Sequence, residues 1–448
     1  MPLNRFSSIK NWLFLITLIA SSVAILTISS REFYPADYYE WRNDWGLLLN
    51  YIHSKSSIPF TDLSKFTLAY LINSCLSGEN NKNLEWINFI FLLIPILCLV
   101  LMHGWRIAIT TGSIFLCSLI FSPIPIYYIN SGALEIQSGI VAGIFISSLG
   151  KLTFNEKQEQ SKILIYLLAL SGFLLPAYKD TIVAVIAFGF ILIAFLKFFI
   201  PSFFSFSEPT KESILIVIKF GALPTLLGVM TCAVYNMAKY GVFLPVVYLI
   251  ESRETSPDIF KSLEFFVGSI LSPNGGVIIF WMMSFVIAIC GWRAAGYSPR
   301  NSVVWLSVIC VVLTLFGLAK WWAPFGWDSW GNRLAIPSIF GAMVAMLLSL
   351  EPINSKNILR IRFFNKFKIL KIFLICFMTI PSVYYLLVPY RSPSFSDAMQ
   401  ASLNPGPACN NMYHALQNET SNMGLKFWRS EIYYGCVRER MMHLPTSQ

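Results

Sequence analysis

Long, continuous apolar runs constrain this chain more than any other feature. About eleven of them approach the ~20 residues that a helix needs to cross a bilayer. They fall near residues 12–28, 84–102, 107–121, 134–149, 163–177, 181–199, 214–235, 277–290, 303–318, 334–350 and 372–388. Lipid offers no hydrogen bonds, so a spanning segment must satisfy its own backbone as a helix or join a closed barrel. The runs are continuous rather than alternating, which predicts helices. Only 12% of the 448 residues are charged, against about 25% in soluble domains, and the mean hydropathy is +0.62. The predicted fold class is an all-α polytopic membrane protein with about eleven transmembrane helices. One transmembrane domain is expected over residues 1–389, with a small external tail over 390–448.

The net charge of +10 does not call for a nucleic acid, because the basic residues lie in short connections between spans. With the N-terminus in the cytoplasm, alternate connections hold Arg5 and Lys10; Arg106; Lys151, Lys157 and Lys162; Lys197 and Lys211; Arg293 and Arg300. The last holds Lys356, Arg360, Arg362, Lys366, Lys368 and Lys371. That pattern obeys the positive-inside rule and predicts an external, periplasmic C-terminus, in keeping with a bacterial inner membrane. The first span lacks a small-residue cleavage site and reads as an uncleaved anchor. Cys98, Cys117, Cys232, Cys290, Cys310 and Cys376 lie in or beside spans and read as small core residues. Cys75, Cys409 and Cys436 fall on the external side, where a Cys409–Cys436 bridge is compatible with an oxidising compartment.

Two external connections break the apolar regime. The first, residues 30–83, carries Leu47, Leu48, Tyr51 and Ile52 at helical spacing behind Asn43 and Asp44, and a second amphipathic stretch over 62–76. Both are predicted to be interfacial helices lying on the outer leaflet. The second, residues 239–276, reads as a loop that ends in the turn chemistry of SILSPNGG.

Charged groups at the ends of spans are costly in a membrane and default to functional hypotheses. On the predicted outer side they are Asp37, Glu40, Asp44, Glu135, Lys179, Asp180, Lys320, Asp328 and Arg333. Residues 317–334, GLAKWWAPFGWDSWGNRL, add Trp321, Trp322, Trp327 and Trp330 in a short loop between two spans. Carboxylates beside cations suit an anionic, lipid-borne substrate: Lys and Arg pair with phosphate, and a carboxylate takes a proton from a nucleophile. The bland alternatives are interfacial charge, salt bridges of Lys179 or Arg333 with Asp180 or Asp328, a helix cap at Asp44, and tryptophans that merely mark the interface. His53, His103, His414 and His443 form no cluster, and no phosphate-binding glycine loop, dinucleotide fingerprint or nucleophile elbow is present. Asp37 and Asp44 could hold a divalent cation; no other cofactor is implied.

In order along the chain, five segments resemble the GT-C superfamily of integral membrane glycosyltransferases. They are NDWGLLLNYIHSKSSIP, YINSGALEIQSGIVAG, SGFLLPAYKDTIVAV, ILSPNGGVIIFW and WWAPFGWDSWGNRLAIP. The resemblance extends over most of residues 10–350, each motif being short. The resemblance implies a polyprenyl-phosphate-linked sugar as donor and a glycan, lipid or protein as acceptor. It further implies Asp44 as the base, with Asp37 in reserve, and Glu135 as a second carboxylate that orients the acceptor. Lys179 and Arg333 would contact phosphate, with Lys320, Trp322, Trp327, Asp328 and Trp330 lining the substrate site. Two departures stand out: the acids after the first span are spread over Glu32, Asp37, Glu40 and Asp44 rather than paired, and Asn332 stands where family members often carry proline. The alternatives are a transporter or flippase, or a polymerase, of lipid-linked saccharides. Transporters usually carry inverted repeats with charge near mid-membrane, and this sequence shows neither.

Overall fold

The computed structural model describes residues 3–29, 68–69, 83–122, 128–129, 134–154, 162–200, 204, 206–240, 243, 259–271, 276–320 and 332–353. Those residues are mostly helical. The helices are α1 (Leu3–Ser29), α2 (Asn83–His103), α3 (Trp105–Ile120), α4 (Leu134–Thr153), α5 (Lys162–Tyr178), α6 (Asp180–Phe199), α7 (Lys211–Val217), α8 (Leu223–Tyr240), α9 (Ile259–Leu271), α10 (Val277–Ala294), α11 (Asn301–Leu318) and α12 (Ile336–Leu348). The first ten expected spans each coincide with a helix; the eleventh, at 372–388, lies outside the described residues. So do the tail and all of the first external connection except the helical residues 68–69 and Asn83, where α2 begins. A π turn, Ile218–Ala222, joins α7 to α8. Pro224 just beyond it has no N–H to offer a carbonyl one turn back, and that missing bond disturbs the regular ladder.

Among the described residues, five segments are long and apolar enough to cross a membrane: Leu134–Thr153, Asp180–Phe199, Lys211–Met237, Val277–Ala294 and Asn301–Leu318. The outward faces agree with that. Trp12, Leu13, Ile16 and Ile19 on α1, Phe188, Ile191 and Phe195 on α6, and Leu226, Met230 and Val234 on α8 are all exposed. Water-facing stripes of that size are rare on soluble proteins; facing hydrocarbon they cost nothing.

Helix α4 organises the interior. All of its residues are buried, and its two faces feed two apolar cores. Ile136, Ile140 and Ile144 pack with residues of α2, α3, α10 and α12. Val141, Phe145, Leu149 and Leu152 pack with α5, α6 and α11. Where lipid is as apolar as the core, burial gives little drive for helix association, and close backbone packing through small residues takes over. Gly139 and Gly143, four apart on α4, provide it against α12. A Cβ at Gly143 would lie 2.6 Å from the Gly341 carbonyl oxygen and 2.6 Å from Val344 Cβ.

Three features depart from the sequence reading. The connection at 239–276 contains α9, whose Ser262, Phe265 and Ser269 are buried while Ile259, Phe260 and Leu263 are exposed. It is an amphipathic helix with an apolar outer face, not a plain loop. Cys290, expected in the core, is exposed, whereas Cys98 and Cys310 are buried; these three, with Cys117 and Cys232, are free thiols. Lys151, expected in a cytoplasmic connection, is only 7% exposed. The reason is that α4 runs to Thr153, beyond the end of its apolar run, and carries Lys151 into the bundle.

That end of the bundle is strapped. Lys151 Nζ donates to the Leu348 carbonyl at 3.2 Å. Strands β1 (Tyr297–Pro299) and β2 (Leu350–Pro352) pair antiparallel after a turn in which Gly296 adopts φ 88°, a conformation other residues rarely accept. Arg300 forms an ion pair with Glu351 across them. The Ile353 N–H donates to the Gly296 carbonyl at 2.9 Å. Since α4 and α12 meet at Lys151 and Leu348 here and at Glu135 and Arg333 at their beginnings, the two helices run parallel.

Candidate functional site

The other end of α4 begins with Leu134 and Glu135. Glu135 sits in the first turn, where a carboxylate complements the helix dipole. Opposite it, residues Arg333–Ala335 form a 3-10 turn that leads into α12. Pro337, at the first positions of α12, suits a helix start because its missing N–H would be unbonded there anyway. Asn332 caps the turn: its Oδ1 accepts a hydrogen bond from the Ala335 N–H at 3.2 Å. This arrangement aims Arg333 across the bundle, and its Nε donates to Glu135 Oε1 at 2.7 Å.

Both partners are buried, Glu135 at 4% and Arg333 at 9% exposure. Taking a carboxylate and a guanidinium out of water costs several kcal/mol each after relaxation, about as much as their attraction returns. The pair is therefore poor evidence of stability and better evidence of a site. Its bonding is also incomplete. Glu135 Oε2 and Asn332 Nδ2 are buried and find no hydrogen-bond partner among the described residues. Each such orphan costs about 1–3 kcal/mol. The Asn332 amide cannot be flipped to remove the problem, because its oxygen is held by the Ala335 N–H.

Lys179 joins the pair from a third direction. It is the extended residue (φ −161°, ψ 97°) between α5 and α6, partly buried, and its charge lies close enough to act on the Glu135 carboxylate. The α5 end is docked on α4 at this level: Ser138 Oγ donates to the Leu134 carbonyl at 2.7 Å and lies 3.5 Å from the Tyr178 carbonyl. Asp180 is turned to its own helix, its Oδ1 accepting from the Thr181 N–H at 2.7 Å. Below the ion pair, Gln137 Nε2 donates to Asn88 Oδ1 at 2.7 Å, and Asn88 Nδ2 donates to the Tyr128 carbonyl at 3.4 Å. Trp281 Nε1 and Ser269 Oγ are further buried groups without a partner among the described residues.

Of the residues singled out in the sequence, Glu135, Lys179 and Arg333 thus come from three separate parts of the chain to one end of the bundle. Arg333 takes Glu135 as its partner. Lys320 follows α11, whose end contacts the Arg333–Ala335 turn, and it is exposed. Asp37, Asp44, Trp321, Trp322, Trp327, Asp328 and Trp330 lie outside the described residues. Among the described residues no three His, Cys, Asp or Glu side chains come together as a metal site would require. Sequence reasoning missed Asn88, Gln137, Ser138 and Asn332. The first three carried a readable signal, polar side chains within the first turns of otherwise apolar spans, but attention to formal charge passes over amides and hydroxyls. Asn332 was noted only as a departure from the family pattern.

Chemically, this end of the bundle offers a guanidinium and an ammonium to an anion, one carboxylate oxygen to a hydroxyl donor, and one amide N–H group to an acceptor. No family model matches this chain, and neither does any curated protein or solved structure.

Proposed function

We propose that the chain is a membrane glycosyltransferase of the GT-C type. It transfers a sugar from a polyprenyl-phosphate-linked donor to an envelope glycan, lipid or protein acceptor at the outer face of the membrane. The observation that carries the reading is the buried Glu135–Arg333 ion pair, with Lys179 beside it, at one end of an otherwise apolar bundle. A guanidinium and an ammonium at that depth suit a lipid-linked phosphate, whose head lies at the interface while its chain remains in hydrocarbon.

In the proposed reaction the acceptor hydroxyl attacks the anomeric carbon of the donor. The new carbon–oxygen bond forms as the bond to the phosphate oxygen breaks, and the polyprenyl phosphate departs with the electron pair. Lys179 and Arg333 stabilise the charge that grows on the leaving phosphate, the kind of electrostatic contribution that dominates many enzymes. The hydroxyl proton goes to a carboxylate, for which Asp44 is the candidate. Glu135 fixes Arg333 through Oε1 and keeps its other oxygen for a sugar hydroxyl.

The test uses purified protein in lipid vesicles with labelled polyprenyl-phosphate hexoses and pentoses and with envelope glycan, lipid and peptide acceptors. Wild-type protein transfers label; Glu135→Gln and Asp44→Asn each lower the rate by roughly a hundredfold or more, the scale of a positioned acid–base group. Full transfer by Asp44→Asn removes Asp44 as the base. Sugar-lipid that crosses the bilayer without any transfer replaces the reading with a transporter.

A further inference from the structure

Two polar atoms at the ion pair have no partner among the described residues, and they are of opposite kind. Glu135 Oε2 accepts and Asn332 Nδ2 donates; both are buried and neither finds a partner among the described residues. Asn332 is 0% exposed and Glu135 is 4% exposed. They belong to one locality, since Asn332 precedes Arg333 in the chain and Arg333 Nε bonds the other oxygen of the same carboxylate. They do not bond each other. Each residue is therefore half used: Glu135 Oε1 anchors Arg333, and Asn332 Oδ1 caps the turn into α12, while the remaining atom of each is left over.

An acceptor and a donor left over around one ion pair suit a ligand rich in hydroxyls, each of which donates one hydrogen bond and accepts others. An anion alone does not fit, because Glu135 Oε2 repels it, and an apolar group leaves both atoms unbonded. We infer that Asn332 is a specificity-determining residue whose amide N–H, together with Glu135 Oε2, binds hydroxyls of a polyhydroxylated ligand beside the Arg333 cation. On the proposed function, upon which this inference rests, the ligand is the saccharide portion of the lipid-linked donor, read separately from its phosphate. Sites built to hydrogen-bond a hydroxyl reject analogues lacking it strongly, because the buried protein groups are then left unpaired.

The cap and the proposed contact use different atoms of Asn332, so they can be separated. Asn332→Ser and Asn332→Thr keep an oxygen to cap the Ala335 N–H and remove the amide donor. Binding is measured in detergent micelles for polyprenyl-phosphate glucose, mannose and arabinose, and for polyprenyl phosphate of the same chain length without sugar. Wild type is expected to bind at least one sugar-linked lipid ten times or more tightly than the bare phosphate. Both variants are expected to lose most of that margin while binding the bare phosphate within twofold of wild type and keeping a wild-type unfolding temperature. Arg333→Lys is expected to weaken both ligands together. Variants that retain the full margin, or that weaken sugar-linked and bare lipid equally, overturn the inference and leave the function standing. Wild-type protein that binds neither lipid overturns both.

Discussion

The two ends of helix α4 meet the same problem, a charged residue held inside an apolar bundle, and solve it differently. At the Lys151 end the ammonium donates to the Leu348 carbonyl, the strands β1 and β2 close the connection, and the Arg300–Glu351 pair remains partly open to solvent. The charged groups of that strap are each paired, although His103 Nε2, Ser147 Oγ, Ser207 Oγ and Ser307 Oγ are buried there without a partner among the described residues. At the Glu135 end both partners of the ion pair are buried, and one atom of Glu135 and one of Asn332 have no partner among the described residues. A bundle that needed only a polar clasp at the second end had the cheaper solution available at the first. The difference teaches that satisfied charge closes a structure, whereas unsatisfied charge at a helix end marks a place where something else completes it.

The sharpest way to break this comparison is to remove Glu135. Glu135→Ala leaves Arg333 buried without its anion, which costs about 3–5 kcal/mol, read as a drop in unfolding temperature, and sugar transfer falls below detection. The double replacement Glu135→Leu with Arg333→Met removes both charges, and such swaps are often neutral or stabilising by about 1–4 kcal/mol. It should recover wild-type stability and no activity; recovered transfer would mean that the pair is structural.

The next effect is expected at the α4–α12 contact that holds the two ends in register. Gly143→Leu forces side-chain atoms into the space occupied by the Gly341 carbonyl and Val344, and overpacking of this kind costs about 1–3 kcal/mol. Because it displaces Arg333 relative to Glu135, transfer should fall together with stability, while Gly317→Leu, where a Cβ would meet nothing within 4 Å, should alter neither. A smaller effect is expected at the strapped end. Lys151→Met loses the bond to Leu348 and also the burden of a buried ammonium, so stability should change by no more than about 1 kcal/mol, with transfer within twofold of wild type. The smallest belongs to Glu351→Ala, a partly exposed pair worth about 0–1 kcal/mol. A large loss of transfer in either of the last two variants would place chemistry at both ends and erase the contrast.

Much of the helical frame was legible before any coordinates. The apolar runs give the helices within a few residues, and Glu135, Lys179 and Arg333 stand out as charges beside spans. Other features were not legible, for definable reasons. The partner of Arg333 is 198 residues away, and the nearer carboxylates at Asp180 and Asp328 compete equally well on paper. Lys151 read as a solvated connection residue because hydropathy declines before α4 ends. Helix α9 escaped because its buried positions, Ser262, Phe265 and Ser269, mix polar with apolar residues and blur the periodicity. The small-residue spacing of Gly139 and Gly143 is visible in the chain, but nothing in it names Gly341 as the surface they meet.

The helical character of the spans follows from local composition, because a segment in hydrocarbon must bond its own backbone and an α-helix does so residue by residue without help from the rest of the chain. Which charges meet, which glycines touch and which polar atoms are left over depend on how finished helices pack. That packing is settled by contacts between residues far apart in the chain, so it appears only once α4, α5 and α12 stand side by side.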